Sequence, residues 1–396
     1  MADPPEGTGV HPGLAGSVGY LDYNATTPVD PRVVTAMLPY LTTHFGNPSS
    51  AHSYAAAPRH GLDDARQQVA GLIGARPEEI VFTGSGSEAD ALAVRGAALA
   101  ASGSGPRPHV ITQTTEHPAL LAACRALNRE LGADITVLPV DRYGILDPAE
   151  LEPAITPRTV LVSVMHANNE TGTIQPIAEL AAIARRRGAL FHTDAAQTAG
   201  KIPVDVTALG VDLLTVVGHK MYAPKGVAAL YVRAGVALSP LIGGGGQERG
   251  LRSGTESVAH AVALGAAAEL AAGELALGSA ARMVALRDHL HGVLVDQLPG
   301  RVQLNGHPTS RLPNTLNISI AGTLGHEVLA GCPSLAASTG SACHAGTHEP
   351  SPVLRAMNID DMSALAAVRL SLGRWTTTAD VETAAAALVS AAAAAD

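Results

Sequence analysis

Apolar positions along the chain follow two spacings in alternation. Short, continuous or period-two apolar runs at 79–83, 109–112, 135–138, 160–165, 190–193, 213–217 and 227–232 read as buried strands. Between them, segments at about 31–38, 57–72, 88–101, 118–131, 147–155 and 177–187 carry apolar residues at helical spacing. Strands alternating with helices predict an α/β protein whose large domain holds a mostly parallel, doubly wound sheet. Beyond this region lie an Ala-rich helix at 258–276 and a second helix at 282–298. Strands at 302–304, 315–319 and 368–372 follow, with a terminal helix at 377–395. They predict a smaller α+β C-terminal domain. The expected division is a disordered tail over 1–19, a large domain over 20–265 whose first residues can pack on the small domain, and a small domain over 266–396. LDYNATTP (21–28) reads as a short strand and a turn, and GGGGQERGLRSGT (243–255) as a mobile loop.

The polar residues are grouped as regularly. GSGSE (84–88), TTEHP (114–118), HANNETG (166–172), DAAQ (194–197) and GHK (218–220) each come directly after a strand. They therefore gather at the carboxyl edge of the sheet, where open α/β sheets bind ligands. Strand, glycine-rich turn and helix at 79–101 would aim backbone N–H groups at an anion. The spacing is neither a dinucleotide fingerprint nor a Walker loop, so phosphate is indicated only generically and a plain tight turn fits as well.

Composition narrows the picture. The 396 residues are 46% hydrophobic but only 3% aromatic, so the core is aliphatic and base-stacking platforms are not expected. A net charge of −9 points away from nucleic acid and anionic membranes. No run of eighteen apolar residues predicts a membrane span, and residues 1–19 lack the basic and apolar regions of a signal peptide. Three cysteines (Cys124, Cys332 and Cys343) make no disulfide framework, which favours a reducing, cytoplasmic setting.

Only three of the basic residues are lysines: Lys201, Lys220 and Lys225. An amine can lose its proton and attack a carbonyl, which a guanidinium cannot do. Lys220, beside His219 at the end of strand 213–217, is the candidate for a Schiff base; its plain reading is a solvated turn lysine. A pyridoxal phosphate site needs such a lysine, a carboxylate for the ring nitrogen, a phosphate cradle and a flat group against the ring. Asp194, Gly86 with Ser87 and His219, and His117 fit those needs in that order, with Gln197 and Asn169 near the ring oxygen. The plain alternatives are a helix cap for Asp194, a turn cap for His117 and a left-handed turn at Asn168–Asn169. Cys343 lies among small residues in LAASTGSACHAGTH (335–348), and an exposed thiol there, with His344 beside it, is a candidate nucleophile. His344 and His348 stand four apart without a third ligand, so no metal site is expected.

At these residues the chain resembles the cysteine desulfurases, fold-type I pyridoxal phosphate enzymes of the class-V aminotransferase group. The motifs are LDYNATTP, FGNPSS, TEH (115–117), MHANNETG, HTDAAQ, GHK, GGGQERGLRSGT, GSAC (340–343) and RLSLGR (369–374), and they span about 21–376. The resemblance implies Lys220 as the Schiff-base lysine that moves protons at the substrate Cα. It implies Asp194 on the pyridine nitrogen, His117 on the ring, and Gly86, Ser87 and His219 on the phosphate. Asn169 and Gln197 would contact the ring, and Thr255 would reach in from the partner subunit of a homodimer. Arg369 would bind the substrate carboxylate, and Cys343 would take sulfur from L-cysteine as a persulfide, leaving alanine. A sulfur-acceptor protein would then feed iron–sulfur cluster or thio-cofactor synthesis. Val217 departs from the pattern, standing where desulfurases commonly place a phosphate-binding serine. RLPNTLNISI, GHEVLAGC and GSACH also resemble selenocysteine lyases, which act on L-selenocysteine. The same motifs suit a class-V aminotransferase with an incidental Cys343, or a sulfur-scaffold partner that keeps the fold without the chemistry.

Overall fold

The computed structural model describes residues 10–16, 18–102, 107–340 and 349–394. Among these residues, twelve strands run in chain order: β1 (Gly19–Tyr20), β2 (Ile80–Thr83), β3 (His109–Gln113), β4 (Asp134–Leu138), β5 (Thr159–Ser163), β6 (Leu190–Asp194), β7 (Leu213–Val217), β8 (Ala228–Val232), β9 (Val302–Leu304), β10 (Thr315–Ile320), β11 (Leu335–Ala336) and β12 (Ala367–Ser371). Seven of them form the central sheet in the order β2-β8-β7-β6-β5-β3-β4. Its pairs are parallel except where β8 lies antiparallel between β2 and β7.

The period of two divides each strand between the sheet's faces. Ile80, Phe82, Ile111, Val162, Leu214 and Val216 enter one core, with helices Ala56–Leu72 and Val258–Ala276. Val81, Val110, Leu161, Leu213 and Leu230 enter the other, with helices Gly86–Ala101 and Pro118–Leu131. A separate core lies under the three-stranded antiparallel sheet β12-β10-β9 and the helices Ser279–Gln297 and Thr378–Ala394.

Several expectations need correction. The N-terminal strand is Gly19–Tyr20, paired with β11 ahead of LDYNATTP, and only Asp22 within that motif bridges to Ser371. Residues 10–16 are packed instead of trailing free: His11 Nε2 bonds Val29 O at 2.8 Å and its ring lies 4.8 Å from that of Trp375. Loop 243–255 is anchored rather than loose. Glu248 accepts from both terminal nitrogens of Arg66 at 2.8 Å and from the Phe82 amide at 2.9 Å. Among the described residues one helix, Val258–Ala276, is long and apolar enough to cross a membrane, contrary to expectation. Half of that stretch is buried inside the protein, where it packs on Ala56–Leu72 and Pro31–Thr42. Four short helices, Val206–Leu209, Gly325–Ala330, Pro352–Ala356 and Asp361–Leu365, went unpredicted because four to six residues hold too few turns to display a helical period.

Segment 21–27 positions the site. Ser371 in β12 donates its N–H to Leu21 O at 2.7 Å, and its hydroxyl accepts the Asn24 N–H at 2.9 Å. Thr27 N donates to His219 O at 3.0 Å, and Tyr222 N to Thr27 Oγ1 at 2.9 Å. One short loop thereby joins the small sheet to the carboxyl end of β7.

Candidate active site

A cavity of about 360 Å³ opens at the carboxyl edge of the central sheet. Its walls bring together Gly86, Ser87, His117, Asn169, Asp194, Gln197, His219, Lys220 and Arg369. A second cavity of about 380 Å³ lies between the first described residues and the terminal helix. Its carboxylate, Asp380, is already engaged, accepting from Thr377 N and Oγ1 at 2.8 Å, and no comparable set of groups converges there among the described residues.

The floor comes from strand ends. Lys220 ends the single turn Gly218–Lys220 that follows β7, and its Nζ donates to Asn24 O at 2.6 Å and Ala25 O at 2.8 Å. Burial, with Arg369 nearby, lowers its pKa to about 8, against the opposing pull of Asp194 and Asp22. Asp194 closes β6 and accepts the Ala196 N–H at 2.8 Å in a turn; no helix starts there, so the expected helix cap is not formed. Burial raises its pKa, while that N–H, His117 and Lys220 favour its ionised form.

His117 takes the capping place expected of it, here at the start of a helix. Its Nδ1 accepts the Ala119 N–H at 3.2 Å, capping helix Pro118–Leu131, and it lines the cavity wall. Nδ1 as acceptor leaves Nε2 as the protonated nitrogen of a neutral imidazole. Burial holds the pKa of His117 below its usual value, helped by Lys220 and opposed by Asp194. His219 bonds Thr26 Oγ1 at 3.1 Å through Nδ1; burial and the charges of Lys220 and Lys225 push its pKa down to about 4.

The helix Gly86–Ala101 points its N-terminus into the cavity. Ser85 caps it by accepting the Glu88 N–H at 3.1 Å. The N–H groups of the first turn that lack intrahelical partners suit an anion. Val217 packs over this end: a Cβ on Gly86 would stand 2.6 Å from Val217 Cγ2, so the turn needs glycine.

Arg369 projects from β12 across the cavity. Nη2 donates to Asp22 Oδ1 at 2.7 Å and Nη1 to Asn169 O at 3.2 Å, while buried Nε has no partner among the described residues. Asn169 thus contributes its backbone oxygen to Arg369 as well as lining the cavity. Thr255 is exposed and outside its own chain's cavity. Cys343 and His344 lie outside the described residues. The chain leading to them reaches the cavity at Ser338 and Gly340.

Sequence reasoning overlooked Asn24, Lys201, Asp90 and Glu116. Asn24, 1% exposed, receives both Lys220 Nζ and, at 3.1 Å, Gln197 Nε2 on its backbone oxygen. It stands in LDYNATTP, but nothing in that motif singles out the asparagine. Asp90 and Glu116 are buried acids beside Asp194, and burial raises the pKa of each well above the usual carboxyl range. Lys201 was detectable by the same lysine scarcity that marked Lys220.

The aminotransferase class-V family model matches residues 19–383. A cysteine desulfurase of Trichormus azollae is 47% identical over 370 residues, covering 92% of this chain and 90% of the relative. Among solved structures, a NifS-like protein superposes with a TM-score of 0.86 at 35% identity, covering 94% of this chain and 98% of that one. SspA, solved in complex with cysteine, superposes with a TM-score of 0.79 at 34% identity, covering 91% and 100%.

Proposed function

The chain belongs to the class-V aminotransferase family, among the cysteine desulfurases, and from that premise we propose that it converts L-cysteine to L-alanine with sulfur passed to Cys343 as a persulfide. The carrying observation is the convergence of Lys220, Asp194, His117 and Arg369 on one cavity.

The residues present fit pyridoxal phosphate. Asp194 is a buried carboxylate with one backbone hydrogen bond, and a cationic ring nitrogen would stabilise it. The capped helix end at Gly86–Ser87 lines the cavity beside Val217 and offers N–H donors to a phosphate. His117 would lie on the ring, with His219 near the phosphate and Asn169 and Gln197 near the ring oxygen. When bound, the cofactor supplies an electron sink for the pair left at the substrate Cα.

Lys220, whose pKa burial lowers to about 8, takes and returns the proton at the substrate Cα. Arg369, braced by Asp22 and Asn169, keeps N–H capacity for the substrate carboxylate. In the net reaction the Cβ–S bond of cysteine breaks, an S–S bond forms on Cys343, and alanine leaves with hydrogen at Cβ. A sulfur-acceptor protein then draws on the persulfide, for iron–sulfur clusters or thio-cofactors.

The functional unit is a homodimer in this reading, with Thr255 serving the partner's cavity. An exposed apolar stripe at Val34, Leu38 and Leu41, beside Phe45 and Tyr54, supports burial against a second copy.

The test incubates the protein and C343A with pyridoxal phosphate and L-cysteine, measuring alanine and protein-bound sulfane sulfur. Alanine and persulfide should form together in the wild type and both be lost in C343A, which should keep the visible cofactor band. Undiminished alanine from C343A would sink the persulfide step, and better turnover of selenocysteine would redirect the substrate.

A further inference from the structure

Lys201 is one of only three lysines, and the proposed chemistry makes no use of it. Its Nζ donates to Gln197 Oε1 at 2.7 Å and to Asn24 Oδ1 at 3.1 Å. Both acceptors are neutral amides, and the charges that act on Lys201, Lys220 and Arg369, are themselves positive. Burial and those two cations push its pKa well below the usual lysine value. A cation-forming group kept there without an acid is costly to the fold, so a positional role is the natural explanation.

The hydrogen-bond polarity defines that role. A carbonyl only accepts, so the Gln197 atom 3.1 Å from Asn24 O is Nε2, and Oε1 is the atom that takes the hydrogen bond from Lys201 Nζ. Turning the amide over would set its oxygen against Asn24 O, acceptor against acceptor. Asn24 is held equally firmly: Oδ1 receives Lys201 and Asn314 Nδ2, while Nδ2 donates to Asn169 O and Thr315 Oγ1. Gln197 lines the cavity, and Nε2 carries a second hydrogen beyond the one given to Asn24.

We propose that Lys201 is a positioning residue that holds Gln197 Oε1 away from the cavity, so that this amide meets the bound group only as a donor. The group it selects carries an anionic or lone-pair oxygen at that place. This rests on the pyridoxal phosphate reading, in which the ring oxygen is the acceptor.

The test titrates apo-protein with pyridoxal phosphate, reading the visible band for Kd, in wild type, K201M, Q197A, the double variant and Q197E. Thermal melting of each apo-protein is the folding control. Q197E keeps an acceptor for Lys201 but removes the N–H, so its Kd should rise about ten- to a hundredfold. K201M should weaken binding in the wild-type background and add nothing in Q197A. A K201M effect of equal size in both backgrounds, or Q197E binding as tightly as wild type, overturns the proposal. Q197E decides the matter alone if K201M does not fold. A folded wild type that takes up no pyridoxal phosphate overturns the cofactor reading, whereas uptake indifferent to these substitutions overturns only the role of Lys201.

Discussion

Replacing Val217 by serine tests where a phosphate sits. Val217 ends β7 at 6% exposure, and its Cγ2 covers the helix end at Gly86. Serine removes two methyl groups of this buried contact, at about 0.8 kcal/mol for each carbon, so apo-V217S should be roughly 1–2 kcal/mol less stable. The hydroxyl then adds a donor beside Gly86 and Ser87. A hydrogen bond to a charged acceptor contributes about 1.5–3 kcal/mol, or roughly ten- to a hundredfold in Kd for pyridoxal phosphate. The variant should thus melt earlier as apo-protein and bind the cofactor more tightly, recovering its stability on loading. Absorbance titration and thermal melts of both forms measure the two effects. Gly86→Ala supplies an internal control: its Cβ would meet Val217 Cγ2 at 2.6 Å, so its cost should shrink in V217S. Folded V217S with unchanged or weaker cofactor affinity would refute the placement of a phosphate at this helix end.

Further tests draw on the same geometry. Because burial lowers Lys220 to about 8, its free amine appears as pH rises through that value. The rate of cofactor loading should therefore rise with a midpoint near 8, not near the ordinary lysine value of about 10.4, as stopped-flow absorbance would record. Arg369→Lys loses the planar fork that serves Asp22, Asn169 and the cavity together, so KM for cysteine should rise about ten- to a hundredfold with the cofactor spectrum unchanged. Glu248→Ala strands Arg66, whose side chain is 11% exposed, and should cost about 3–5 kcal/mol in chemical denaturation while opening loop 243–255 to proteases. Asp194→Asn should weaken pyridoxal phosphate binding strongly in an absorbance titration. Asp90→Asn should change it little, because burial favours the neutral form of Asp90 and an amide resembles that form.

The sequence made the architecture legible because each strand of the central sheet is a run of aliphatic residues ended by a polar cluster. Leu213–Val217 and Val258–Ala276 are recovered residue for residue. The order of the strands was out of reach, since the reversal of β8 depends on the path from Lys220 to Ala228 and not on any pattern within Ala228–Val232. In the cavity Lys220, one of only three lysines, stood out, whereas Arg369, one of many arginines, was reached only through the family resemblance. Asn24 did not stand out: what Lys220 and Gln197 meet is its backbone oxygen, and any residue supplies one. Loop 243–255 was misjudged because glycine content speaks for conformational freedom, while its restraint comes from Arg66, far away in the chain.

Three acids crowd the carboxyl edge of the sheet, and their partners decide which one carries charge. Asp194 accepts the Ala196 N–H and has His117 and Lys220 close enough to favour its ionised form. Glu116 accepts the Met165 N–H, at 2.6 Å, on one oxygen. Its other oxygen and Asp90 Oδ1 have no hydrogen-bond partner among the described residues. The charge of Asp194 itself helps to raise both neighbours. His192, which could answer Asp90 from 3.8 Å, is fully buried with its pKa lowered to about 3, so it stays neutral and gives no cation. A single ionised acid among two protonated ones is the arrangement these partners favour, since like charges in one dry pocket cannot all form. That concentrates the negative charge of this edge on the strand end facing the cavity. A cationic ring nitrogen placed there would meet one carboxylate, and the neighbouring acids, being neutral, would not compete for it.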